Sequence, residues 1–111
     1  MNLSQASQIL DRIFAINHLS VSEETGLLDY HGPYRFTIDL DSPFQKAGEL
    51  IPRFGSIHHD LKINTLFSLN NFPKKVSGNI TINHVGHPSI TEPAIRKICD
   101  VSGDIFLQEY I

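Results

Sequence analysis

Lys74 to Asn83 reads KKVSGNITIN and Cys99 to Gln108 reads CDVSGDIFLQ, so the pattern V-S-G-[N/D]-I-x-[I/L] occurs twice in 111 residues. Extending the alignment gives four apolar pairs: Phe36-x-Ile38, Leu61-x-Ile63, Ile80-x-Ile82 and Ile105-x-Leu107. They begin 25, 19 and 25 residues apart. Upstream, Ile57, Val76 and Val101 share one position, His59, Gly78 and Gly103 a second, and Asp60, Asn79 and Asp104 a third. One strand with its return segment cannot cover its own apolar face, whereas stacked copies cover each other. Strands at equivalent positions then pair in parallel, ~4.8 Å apart, and the chain must cross over between them. The alternative is an ordinary α+β sheet in which two strands share a motif by chance.

The segments between the pairs suggest how the crossovers are made. Residues 4 to 17 carry Ile9, Leu10, Ile13 and Phe14 at helical spacing behind a Ser4 cap, which predicts an N-terminal helix. Leu27 to Tyr30 and Tyr34 to Leu40 flank the turn dipeptide Gly32-Pro33, either as a hairpin or with Tyr34 to Leu40 standing alone as a strand. Ser42 as cap, Pro43 at the first helical position and the stripe Phe44, Ala47, Leu50, Ile51 predict a second helix over 43–51 that ends at Pro52. Thr91 caps a third short helix, with Ile95 and Ile98 expected to point inward. The shorter interval holds TLFSLNNFP, an irregular turn.

The run LKINTLFSLNNFPKKVSGNITI reads as L-x-I-x-x-L-x-x-L-x-x-F-P-x-x-V-x-G-x-I-x-I. It resembles a degenerate leucine-rich repeat of the short kind, with proline before each strand. Similar rungs occur in repeat proteins of bacteria and their phages. Leu66 and Val85 stand where that family carries asparagine, and Asn64 and Asn83 come two positions earlier. The resemblance spans Tyr34 to Leu107. The fold expected is therefore α+β: one domain over 1–111, with a capping helix over 1–19 and a leucine-rich-repeat-like stack over 34–111. That stack holds about four parallel strands with helical or turn crossovers.

Composition narrows the function classes. Apolar residues make up 41% and charged residues 19%, ordinary for a globular protein. The net charge is −3, and the nine basic residues form no stripe, which argues against nucleic acid as partner. Cys99 is the lone cysteine, so no internal disulfide is expected. The N-terminus lacks the features of a secretory signal, and no apolar run approaches the ~20 residues that cross a bilayer. A cytoplasmic protein without cofactor, metal or membrane partner is expected.

Six histidines invite a catalytic or metal reading: His18, His31, His58, His59, His84 and His87. His84-x-x-His87 offers two imidazoles, but zinc needs further ligands. In a stacked arrangement His58 and His84 are seven extended residues apart in level, roughly 23 Å. Asp29, His31, His58 and His59 make the better acid–base group, and a small hydrolase or nuclease using His31, His58 and His59 is the catalytic alternative. The plain reading of these histidines is exposed loop residues with no paired nucleophile. Cys99, late in a helix, reads as a buried inert thiol. No phosphate-cradling loop and no G-x-S-x-G elbow occurs.

Binding reads better than catalysis. Between the apolar positions the strands place Arg35, Thr37 and Asp39; Asp60, Lys62 and Asn64; Asn79, Thr81 and Asn83; and Asp104, Phe106 and Gln108 on one outward face. Phe106 among hydrogen-bonding groups has the look of a protein-contact hot spot; a plain solvated sheet face is the bland reading. The last strand, running to Tyr110 and Ile111, presents an open edge for a second copy, as a homodimer, or for another protein. The binding residues expected are Lys62, Asn64, Thr81, Asn83, Asp104, Phe106, Gln108 and Tyr110. The function expected is a non-catalytic protein-binding inhibitor or adaptor. The resemblance extends this to a phage-encoded antagonist of a host defence complex.

Overall fold

The computed structural model describes residues 19–22, 24–39, 45–46, 49–50 and 53–110. Eight of its strands form two parallel stacks that wind around a common core. The first sheet runs in the order β1 (Leu19–Val21), β2 (Leu28–Tyr30), β6 (Phe54–Ile57), β8 (Lys75–Val76), β10 (Asp100–Val101). The second runs β11 (Ile105–Tyr110), β9 (Ile80–Val85), β7 (Leu61–Leu66), β3 (Phe36–Ile38). All pairs among these are parallel except β1 on β2, which is antiparallel and covers the first sheet at its start. The chain therefore makes four rungs, β2–β3, β6–β7, β8–β9 and β10–β11, each contributing one strand to each sheet.

The register follows the apolar pairs. Phe36 lies opposite Leu61, Leu61 opposite Ile80, and Ile80 opposite Ile105. Leu61, Ile63, Ile80 and Ile82 are fully buried, each side chain stabilising the stack by about 2 kcal/mol relative to exposure. Ile57, Val76 and Val101 line the core from the first sheet. After Ile63 and Ile82 the strands turn two consecutive residues outward before Leu66 and Val85 go in again. Asn64 and Asn83 occupy that kink and bond along the stack: Asn83 Nδ2 donates to Asn64 Oδ1 at 3.0 Å, and Asn64 Nδ2 donates to Asp39. Phe72, Ile90, Ile95 and Cys99 close the core from the return segments.

The corner between the two strands of a rung explains the repeated S-G-[N/D]. Asp60 Oδ1 accepts from Asn79 N at 2.8 Å, and Asn79 Oδ1 accepts from Asp104 N at 2.8 Å. Each side chain reaches up one rung and takes an N–H that the bent backbone cannot pair. To do so it crosses the preceding residue of the next rung, where a Cβ on Gly78 would overlap Asp60 Oδ1 and one on Gly103 would overlap Asn79 Oδ1. Glycine is required there by space. The device recurs in the first sheet: the ladder slips between Leu28 and Tyr30, and Asp29 Oδ1 accepts from Ser56 N at 2.8 Å across Gly55. Arg35 precedes Phe36 in the first rung, so no such side chain rises over the second. There His59 replaces glycine, and its own Nδ1 accepts the Asp60 N–H at 2.7 Å.

The α+β class and its leucine-rich-repeat-like stack are corrected. The described residues hold eleven strands, in the two large sheets and one two-stranded ladder, and one helix, Glu92–Ile98. Between each return segment and the next corner the chain adds a strand of the first sheet, β6, β8 and β10. Helix 4 to 17 lies outside the described residues. Within the helix expected over 43–51, Gln45–Lys46 and Glu49–Leu50 pair as an antiparallel ladder, β4 and β5. Gly48 weakens a helix by about 1 kcal/mol, and the ladder places Leu50 and Gln45 in the core, with Gln45 Nε2 donating to the Thr65 carbonyl. Leu28–Tyr30 and Phe36–Ile38 do not form a hairpin; they belong to different sheets. Thr91 does cap the helix, its side chain accepting from Ala94 N. Of the two residues expected to point inward, Ile95 is buried, whereas Ile98, the last residue of the helix, is 43% exposed.

Gly78→Ala is expected to cost about 2–3 kcal/mol in a urea melt, from overpacking against Asp60. Asp60→Ala is expected to cost about 2 kcal/mol, from the lost charged hydrogen bond. The double variant should recover about 1 kcal/mol or more of the sum, and strict additivity would remove the clash as the reason for glycine.

Candidate functional site: the outward strand face and the histidine corner

On the outward face of the second sheet, Thr37, Lys62, Thr81 and Phe106 stand in one column in register. Neighbouring strands set them ~4.8 Å apart. Phe106 is 48% exposed, Thr37 is exposed, and Lys62 and Thr81 are half-buried. The next column is Asp39, Asn64, Asn83 and Gln108. Asn64 uses both ends of its amide within the ladder, while among the described residues the Asn83 oxygen accepts no hydrogen bond. Among the described residues Lys62, Thr81 and Gln108 carry no side-chain hydrogen bond, so their polar groups face outward for use. The Asp60, Asn79 and Asp104 column borders the face at the corner. Tyr110 closes β11 opposite Val85, and its side chain is outside the described part. Seven of the eight expected binding residues thus lie along one continuous surface.

The histidine corner sits between the first and second rungs. His31 and His58 stack with ring centroids 4.7 Å apart and planes 24° from parallel. Ser20 Oγ lies 2.9 Å from His31 Nε2, and Ser56 Oγ lies 2.9 Å from His58 Nε2. Ser56 Oγ is also 3.1 Å from Asp29 Oδ1. An ionised carboxylate only accepts, so the single Ser56 hydroxyl hydrogen goes to Asp29. His58 must then donate its Nε2–H to Ser56. In that state His58 cannot take the proton of Ser56, which is the step that activates a serine nucleophile. His59 turns to the backbone, as described above. His84 stands in register with Thr65 and Glu109 on β9, and the His87 ring accepts from Ser89 N at 3.1 Å. Among the described residues no three histidine, cysteine or acidic side chains come together as metal ligands.

Sequence reasoning missed Ser20 and Ser56. The signal for Ser56 was there: it precedes His58 by two residues in extended chain, so both side chains leave on the same side. Ser20 has no such signal, since β1 reaches His31 only through antiparallel pairing with β2.

At the other end of the molecule, Ile105 and Leu107 repeat the inward positions of Ile80 and Ile82 but are only partly buried. Cys99 is buried, its thiol pushed up from 9.0 to about 11, first by burial, then by the Asp100 carboxylate, against a Val76 backbone bond.

No protein-family model matches this chain, and neither a curated protein nor a solved structure matches it.

The unfolded chain loses the Cys99 proton before the folded one does. The thiol's contribution to stability is therefore intact below pH 9 and lost as pH rises through about 11. Urea midpoints are expected to fall more steeply between pH 9 and 11 in the natural chain than in Cys99→Ala. In the folded chain alkylation by iodoacetamide at pH 8 should be slow, because the thiolate is the reactive form.

Proposed function

We propose that this chain is a protein-binding module that acts without turnover, as an inhibitor or adaptor, through the outward face of its second sheet. The observation that carries this reading is Phe106, 48% exposed at the end of a column whose other members are polar. An exposed aromatic ringed by groups able to hydrogen-bond matches the usual composition of an interface centre. Lys62, two strands away in the same column, adds a cation, and Gln108, two residues along β11, adds an amide. A stable interface covers ~800 Å² on each partner. Three strand spacings by five residues give only roughly 240 Å² of sheet, so a partner must also reach over the rim.

The catalytic alternative is a small hydrolase or nuclease using His31, His58 and His59. The Ser56–His58 contact favours it, and the direction of the Ser56 hydroxyl, toward Asp29, weighs against it.

Lys62→Glu and Phe106→Ala are each expected to reduce partner capture at least tenfold with the fold intact by circular dichroism, while His58→Ala captures normally. Loss of biological effect on His58→Ala alone, with Lys62→Glu and Phe106→Ala fully active, would reverse the assignment in favour of the enzyme.

A further inference from the structure

Each rung offers the next one the same set of groups. At the corner Tyr30 O, Ile57 O and Val76 O accept from His58 N, Ser77 N and Ser102 N at 2.9, 2.9 and 3.0 Å. Gly78 O accepts from Gly103 N at 3.0 Å. Phe36, Leu61 and Ile80 each donate N–H to the carbonyl of the residue at the next corner, Asp60, Asn79 and Asp104, at 2.9, 2.8 and 2.9 Å. The Asx side chain takes that same residue's N–H. The third rung, V-S-G-N-I-T-I, presents this set to V-S-G-D-I-F-L, and the fourth rung is a near copy of the third.

The fourth rung therefore presents the same set again. Its Asp104 carboxylate accepts no hydrogen bond among the described residues. By the same register the Ile105 N–H points away from β9, to the side on which no strand pairs among the described residues. Ile105 and Leu107 are only partly covered, where Ile80 and Ile82 below them are fully buried. The remaining acceptors already carry substitutes. Arg96 donates through Nη2 to Gly103 O at 3.1 Å and through Nη1 to Val101 O at 3.4 Å. Those are the carbonyls that a fifth rung's backbone would use, and Arg96 is a partly exposed side chain shared with Glu92 at 3.4 Å.

We infer that the fourth rung is a docking edge for an extended segment of a partner protein, added in parallel as a fifth rung, with Arg96 as a displaceable plug. The segment has the pattern apolar-x-Gly-x-apolar-x-apolar. Glycine is specified because the Asp104 carboxylate must cross it to reach the following N–H, as Asn79 crosses Gly103. The two apolar positions cover Ile105 and Leu107. The residue between them lies beside Phe106 on the outward face. Main-chain pairing would supply the affinity and the glycine the selectivity. This deepens the binding reading given above by naming the shape of the partner.

The test uses a synthetic capped peptide with the sequence of residues 100–108, DVSGDIFLQ, titrated calorimetrically into the full chain. Binding is expected, with slowed hydrogen exchange at the Ile105 amide. The same peptide carrying Gly103→Val should bind at least tenfold more weakly. In Asp104→Ala chain that discrimination should vanish, and in Arg96→Ala chain the glycine peptide should bind at least threefold more tightly. No heat or exchange protection at millimolar peptide, or equal binding of the glycine and valine peptides to the natural chain, overturns the inference. So does a chain dimer in sedimentation that excludes the peptide, which would assign the edge to a second copy. The peptide titration reads the edge alone and the capture assay with Lys62→Glu and Phe106→Ala reads the outward face alone, so a failed peptide experiment and a failed outward face are distinguished.

Discussion

The hydrogen bond from a corner N–H to the Asp or Asn side chain one rung below governs this architecture. A chain that bends between two sheets cannot keep its backbone ladder continuous, and each N–H left unpaired at a bend forgoes a hydrogen bond worth about 0.5–1.5 kcal/mol. Asp29, Asp60 and Asn79 remove that cost at Ser56, Asn79 and Asp104. The same reach forbids a side chain at Gly55, Gly78 and Gly103. One interaction thus fixes two sequence positions on successive rungs. It also fixes the vertical alignment that puts Leu61, Ile80 and their neighbours over one another.

His59 shows the rule from its exception. It stands where later rungs need glycine because Arg35 sends nothing across that position, and it supplies the acceptor itself. A residue that composition marks as a candidate base is here bonded to the backbone beside it. His31 and His58, by contrast, are stacked and exposed, held by Ser20 and Ser56. Chemistry-bearing residue types at one corner therefore divide between backbone support and surface, and only their hydrogen-bond partners separate the two.

How much of this was legible followed from element length. The second sheet could be read from Phe36, Leu61, Ile80 and Ile105, because six-residue strands such as β7 and β9 repeat an apolar-x-apolar pair. The first sheet could not, because β8 and β10 are two residues long and show no alternation at all. Ile57, Val76 and Val101 aligned as a column, yet nothing in single residues says that a column is the inner face of another sheet. Ser42, Pro43 and the spacing of Leu50 imitate a helix start, and the β4–β5 ladder prevails there through contacts with Thr65 and Asn71, residues distant in sequence. On the candidate site, the outward columns were readable from period two. The Asp29–Ser56 link was hidden by the slip in the β2–β6 ladder.

The segments that return the chain from the second sheet to the first differ widely. One carries the β4–β5 ladder, one a short turn with Asn71 in the left-handed region (φ 61), and one the Glu92–Ile98 helix. The corners that lead from the first sheet to the second keep one length in the last three rungs, three residues each, and the last two, Ser77–Asn79 and Ser102–Asp104, repeat almost residue for residue. Length in this molecule is thus tightly gauged on one side and loosely held on the other. A loop grafted beside Asn70 would leave every rung in step, whereas a single residue added beside Ser77 would shift a whole layer against its neighbours. Variation during descent, and any deliberate remodelling, has its greatest room on the return side.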